Sequence, residues 1–165
     1  MIEPRIDAIA TLDTSQDAAL LALNNAHAKE TSFLSEDQWR SMIAGAFTAA
    51  CVGGTSALLI AFDQDAQYDN PNFEWFGERW SRFVYIDRVI VAEDHRGEGL
   101  ARLLYGNLFE RMKATGHQRV GCEVNLDPPN PGSDAFHSKL GFVEQGRAAL
   151  GDRKRVVRYL AKEVD

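Results

Sequence analysis

The chain has 165 residues, 45% of them hydrophobic, which suits one ordinary domain that buries a single core without disulfide or metal staples. Lys and Arg number 18 against 24 Asp and Glu, so the formal net charge is -6, the wrong sign for holding nucleic acid by phosphate neutralisation, and no DNA or RNA partner is expected. Cys51 and Cys122 lack Cys-x-x-Cys or zinc-like spacing, the run Met1 to Ala10 has no signal-peptide or lipidation pattern, and no window approaches the roughly 18 apolar residues of a membrane span. A soluble, cytoplasmic protein with no metal and no membrane partner is therefore expected.

Arg5 to Ala10 alternates polar and apolar side chains and predicts a short strand. Thr14 with Asp17 approximates a capping box ahead of an Ala- and Leu-rich helix over Ala18 to Lys29. A second helix begins where Ser35 and Gln38 form a capping box, with Leu34 and Trp39 at the two staple positions. Ala46 to Val52 and Thr55 to Phe62 are apolar runs joined by Gly53-Gly54, which predicts a hairpin.

Asp63 to Trp80 breaks the periodicity and carries Tyr68, Phe73, Trp75, Phe76 and Trp80 around Asp69-Asn70-Pro71-Asn72 turn chemistry. It predicts a long loop, either a lid over a substrate or an aromatic anchor on its own sheet, and leaves a homodimer contact open. Phe83 to Val91 is β-branched and aromatic and predicts a strand, followed by a helix over Leu100 to Thr115 that stops at Gly116.

Arg119 to Asn125 predicts the next strand. Asp127-Pro128-Pro129-Asn130-Pro131-Gly132 is a rigid connection in which Asn130 caps and Pro131 starts a short helix, Ser133 to Leu140. Phe142 to Ala148 and Arg153 to Ala161 predict two last strands about a turn at Gly151-Asp152, and Arg153, Lys154, Arg155 and Arg158 read as the solvated face of the second. The whole is an α+β chain, one domain over residues 1–165, with a single mixed, mostly antiparallel sheet flanked by helices.

Between the strand ending at Val91 and the helix starting at Leu100 stands Arg96-Gly97-Glu98-Gly99-Leu100-Ala101. Such a turn points unpaired backbone N–H groups past the helix N-terminus, where an anion is the natural occupant, and its glycines let a bulky diphosphate approach. It lacks the Gly-Lys-Ser/Thr ending of a Walker loop and does not follow the first strand of a βαβ unit, which argues against nucleoside triphosphatase and dinucleotide enzymes.

The run Val91 to Ala101 resembles the signature of the GCN5-related N-acetyltransferase (GNAT) superfamily, Arg/Gln-x-x-Gly-x-Gly/Ala, with Arg96, Gly99 and Ala101 matching. Downstream, Asn130-x-x-Ser133-x-x-Phe136-His137-Ser138-Lys139-Leu140-Gly141-Phe142 resembles that family's second motif, and the element order is similar across the chain. The resemblance implies acetyl-CoA as cofactor and transfer of its acetyl group to a primary amine, on a small molecule or a peptide, by direct attack in a ternary complex.

It further implies that Ile90 and Val91 offer backbone groups to the pantetheine arm, the Val91 amide facing the thioester carbonyl as an oxyanion donor. Arg96, Gly97, Glu98, Gly99, Leu100 and Ala101 would hold the diphosphate, Arg102 would add charge, and Asn125, Asn130, Ser133 and Phe136 would border the cofactor. His137 stands where the family commonly has tyrosine. It is either the acid that protonates the departing thiolate or a histidine packed on its helix. Asp87 is the candidate base, or else a salt-bridge partner of Arg88. Acceptor recognition would fall to Asn24, Asn25, His27, Glu30, Phe33 and the aromatic segment. A CoA-binding sensor without transfer activity, and a nucleotide-binding fold of another kind, are the competing readings.

Overall fold

The structure, a computed structural model, describes residues 4–28, 31–151 and 155–165. Twelve regular elements follow one another: β1 (Ile6–Ala8), α1 (Thr14–Ala26), α2 (Glu36–Gly45), β2 (Thr48–Val52), β3 (Ala57–Asp63), α3 (Pro71–Gly77), β4 (Val84–Val91), α4 (Leu100–Thr115), β5 (Arg119–Asp127), α5 (Pro131–Lys139), β6 (Val143–Leu150) and β7 (Arg155–Glu163). The strands form one sheet of hydrogen-bonded order β1-β2-β3-β4-β5-β7-β6. The pairs β1–β2, β2–β3, β5–β7 and β6–β7 are antiparallel and β4–β5 is parallel, so the sheet is mixed, as expected.

The chain divides into two compact units, Met1–Gln67 with Ile86–Arg111 and Tyr68–Tyr85 with Met112–Asp165. In the first, β3 is buried at every position from Ala57 to Phe62, so it reads as a continuous apolar run without alternation. Its hairpin partner β2 is joined through Gly53 and Gly54, whose φ angles of 61° and 74° lie in the left-handed region that glycine adopts at little cost. Leu20, Trp39, Leu104 and Leu108 are fully buried apolar side chains on the helices of this unit.

Three local expectations for this unit are corrected. The first strand ends at Ala8, because Ile9–Thr11 turns into a 3-10 segment. The cap of α1 is Asp13, which accepts from the Gln16 amide at 2.8 Å, and the helix starts at Thr14, ahead of Ala18. Asp17, expected in the cap, accepts instead from the Trp39 indole N–H at 2.8 Å and ties α1 to α2. The Ser35–Gln38 capping box forms reciprocally, and its staple residues Leu34 and Trp39 are both buried. The helix α1 ends at Ala26, with His27 as its C-cap, short of the expected Lys29, which itself lies outside the described residues.

The second unit holds the larger surprise, since the expected loop 63–80 contains α3. Asn70 caps it through the Asn72 and Phe73 amides and Pro71 takes the first turn, the same Asn-Pro device that starts α5. A turn signal and a helix-start signal share these residues, and seven helical residues are too few to show a period. Phe76 packs where a Cβ on Gly121 would stand 2.5 Å from its ring, and Trp75 lies similarly over Gly146 at 2.7 Å. Trp75 is stacked on Tyr159 at 4.1 Å and covered by the Arg79 guanidinium at 3.7 Å. The aromatic segment is thus an anchor on its own sheet.

Shorter corrections complete the unit. β5 runs two residues beyond Asn125, and α5 begins at Pro131, ahead of Ser133. Arg158, expected on a solvated face, has a side chain only 22% exposed that pairs with Asp134 and reaches Glu144 at 3.7 Å. Arg155, the first residue of β7, is half-buried, and Arg153 and Lys154 fall outside the described residues with Asp152.

Candidate functional site

In the first unit, β4 delivers the chain to the glycine loop. Alternation along the strand buries Arg88 and Ile90 on one face and places Asp87, Val89 and Val91 on the other, where Val89 and Val91 are half-buried and the Asp87 side chain is 4% exposed. The β4–β5 ladder consists of two register pairs, Val84–Val120 and Tyr85–Gly121, so the amides of Ile90 and Val91 lie well past its end. A 3-10 turn, Glu93–His95, then redirects the chain, anchored by the Ala92 amide donating to the Ser56 carbonyl at 2.8 Å.

Gly97 and Gly99 follow with φ of 83° and 79°, and a Cβ built on either would meet nothing within 4 Å. Positive φ alternating with ordinary φ turns successive N–H groups to one side, which makes an anion-binding concavity, and the open space leaves room for a diphosphate. Leu100 closes the loop from beneath, 4% exposed, while Arg96, Glu98 and Arg102 are exposed and Ala101 is half-buried. The residues present fit the phosphate end of CoA.

Two side chains of the loop have named neighbours. His95 Nδ1 lies 3.0 Å from Glu98 Oε2, and the Arg96 guanidinium stands 3.5 Å from His27 Nε2. His27 and Arg96, with Leu23, Asn25, Glu93 and Asp94, line an open cleft of about 640 Å³.

Asp87 and the asparagines of α1 belong to one buried network. Arg88 Nε donates to Asp87 Oδ2 at 2.6 Å, with both side chains 4% exposed, while its Nη1 donates to Asn24 Oδ1 at 2.7 Å. Asn24 in turn donates to the Ser32 carbonyl, and Asn25 brackets Leu34 by donating to its carbonyl and accepting from its amide. Asn24 and Asn25 therefore hold residues 32–34 in place, and of the expected acceptor contacts in this region Phe33 is the exposed one, at 69%. Glu30 lies outside the described residues.

The second unit carries the other candidates. Asn130 caps α5 by accepting from the Ser133 amide at 3.3 Å, and Asn125 is half-buried on β5 opposite Val157. His137 is 5% exposed; its Nδ1 donates to the Ser133 carbonyl at 2.8 Å, Ser133 Oγ lies 3.3 Å from that nitrogen, and Phe136 and Phe142 stand edge-on to the ring. Burial lowers the imidazole's pKa, more than the Ser133 carbonyl and Asp134 raise it. With Nδ1–H given to a carbonyl, a neutral His137 has its lone pair at Nε2 and can deliver a proton only as imidazolium.

Glu123 was missed in the sequence. It is half-buried on β5 and accepts from Tyr85 OH at 2.8 Å, on the face shared with Tyr159, whose phenol is pushed up to about 12, chiefly by burial and further by Glu123. The available signal was its two-residue spacing from Asn125, which puts both on one strand face. No group of His, Cys, Asp and Glu among the described residues could hold a metal ion, and no helix there is long and apolar enough to cross a membrane.

Residues 22–142 match the family model described as Acetyltransferase (GNAT) family, a span that draws on both compact units. No curated relative matches the chain. Among solved structures, Ard1 from Thermoplasma volcanium is similar over 99% of both chains, with a TM-score of 0.73 and 13% identity. YncA from Salmonella typhimurium, a putative acetyltransferase solved with its cofactor acetyl-CoA, is similar over 99% of this chain and 95% of its own, with a TM-score of 0.71 and 17% identity. The ribosomal-protein-S18-alanine N-acetyltransferase from Escherichia coli is similar over 98% and 94%, at 0.67 and 19%. At such identities these likenesses show the fold.

Proposed function

The chain belongs to the acetyltransferase (GNAT) family, and from that premise we propose that it transfers an acetyl group from acetyl-CoA to a primary amine of a small molecule or peptide by direct attack in a ternary complex. The observation that carries this reading is the loop Arg96 to Ala101, with its two left-handed glycines and open concave face. Acetyl-CoA, the cofactor of the family, supplies an activated thioester when bound.

The chain's own residues do the rest. Backbone N–H groups from Gly97 to Ala101 bind the diphosphate, with charge from Arg96 and Arg102. The β4 backbone at Ile90 and Val91, past the end of the β4–β5 ladder, hydrogen-bonds the pantetheine arm, and the Val91 amide stabilises negative charge developing on the carbonyl oxygen. In this reading Asn125, Asn130, Ser133 and Phe136 border the cofactor, the last three lying in the segment that resembles the family's second motif.

Asp87 is held by Arg88 and acts through its charge, and Glu123, which accepts from Tyr85 OH, is a second carboxylate candidate to accept the amine's proton. His137 is the candidate acid, active only as imidazolium, so burial confines that role to the acid side of its usual range.

The test is acetyl-CoA-dependent thiol release over a panel of amines, amino acids and peptides, with CoA binding followed by calorimetry. Turnover on an amine together with loss of roughly tenfold in CoA affinity for Gly99→Ala, whose backbone leaves the left-handed region, is the expected result. Tight CoA binding with no turnover on any acceptor would instead establish a CoA-binding sensor.

A further inference from the structure

The cofactor loop contains an acid where an anion is to bind. Glu98 stands between Gly97 and Gly99, exposed, in a segment whose proposed ligand carries a diphosphate. A carboxylate within several ångströms of a phosphate repels it, weakly across water and more strongly as the ligand displaces water. In the structure this carboxylate is held: Glu98 Oε2 and His95 Nδ1 are 3.0 Å apart, across one turn of chain, with side chains 51% and 44% exposed. His95 sits on the 3-10 turn that precedes the loop, and its backbone is fixed by donation to the Ala92 carbonyl at 2.9 Å. The backbone of His95 is thus tied to its turn, which places Nδ1 within donating distance of the Glu98 carboxylate.

We infer that His95 is a positioning residue for the diphosphate loop, holding the Glu98 carboxylate as a hydrogen-bond acceptor so that it neither swings over the loop's N–H groups nor competes for them. A free carboxylate is itself a good ligand for such a concavity, so an unheld Glu98 is an internal competitor as well as a repelling charge. The inference deepens the proposed function and rests on CoA binding at this loop. The other charges around the pair are Arg96 in the loop and Glu93 and Asp94 on the same turn as His95.

The experiment is calorimetric titration of the full chain with CoA and with dephospho-CoA, on wild type, His95→Ala, His95→Gln, Glu98→Gln and the double variant His95→Ala/Glu98→Gln. His95→Ala is expected to weaken CoA about threefold, the scale of one exposed charged contact. His95→Gln, whose amide can still donate to Glu98, should recover most of the loss. In the Glu98→Gln background the histidine should become neutral to binding, and dephospho-CoA should show the same ratios because it keeps the diphosphate.

An unchanged affinity in His95→Ala, or an equal loss with and without Glu98, overturns the inference. A loss confined to CoA and absent with dephospho-CoA overturns it too, because the sensitive group is then the 3′-phosphate. Wild type that binds neither ligand refutes the proposed function itself, a result that no pattern among the variants can imitate.

Discussion

Replacing Arg88 by methionine isolates the energetics of the network beneath β4. The guanidinium and the Asp87 carboxylate are both 4% exposed, and the same guanidinium supplies a donor to Asn24, a residue with no solvent exposure. Removing one partner of a buried pair costs about 3–5 kcal/mol, because the remaining charge keeps its desolvation penalty after losing its compensation. That is about a fifth or more of a typical domain stability of about 5–15 kcal/mol. Urea unfolding, followed by tryptophan fluorescence and far-UV circular dichroism, should show the midpoint falling with little change in slope. Asp87→Asn in the same background should return a good part of the loss, since an amide costs less to bury than an unpaired carboxylate. Arg88→Lys should fall between, having a point charge without the fork that reaches Asp87 and Asn24 together. An Arg88→Met loss under about 1 kcal/mol would refute the account, because it would mean that the buried carboxylate is compensated without the guanidinium.

Glycine substitutions should divide by space. Gly121→Ala forces a methyl to 2.5 Å from the Phe76 ring and should cost about 1–3 kcal/mol in the same unfolding assay. Gly106→Ala, in α4 with nothing within 4 Å of the new methyl, should stabilise by about 0.5–1 kcal/mol; equal effects at the two sites would show that the Phe76 contact is not tight. His137 should leave a pH signature. Burial lowers its pKa in the native state, so the unfolded chain takes up the proton first, and the stability from its neutral form is complete above about pH 6.5 and lost as pH falls through the native pKa. Thermal melts from pH 8 to pH 5 should therefore fall more steeply for wild type than for His137→Gln, and parallel curves would sink this assignment. In turnover assays, His137→Phe retaining kcat within about threefold across pH 6–9 would exclude the acid role, a change under 1 kcal/mol.

The sequence by itself determined what depends on short stretches of chain. The helix Leu100–Thr115 has the predicted bounds, because its apolar stripe and its glycine stop are all local signals. The Ser35–Gln38 box and the left-handed glycines Gly53 and Gly54 of the hairpin were legible for the same reason, as each is a backbone requirement that few residue types meet. The helix Pro71–Gly77 was not legible, since its start signal doubles as a turn signal and its apolar residues take their meaning from Gly121, Gly146 and Tyr159 in distant strands.

Only the tertiary structure decided how the polar residues are used. Asn24 and Asn25 looked like ligand contacts, and each is occupied by a partner that sequence distance hides, Arg88 for Asn24 and the Leu34 backbone for Asn25, whereas for Asp87 the fold decided between two legible roles by pairing it with its neighbour Arg88. Glu123 acquired its interest only when folding brought Tyr85 OH to 2.8 Å from its carboxylate. A side chain's chemistry is fixed by its type, but its availability is fixed by burial and by which donors and acceptors reach it, and these arise from contacts between elements far apart in the chain.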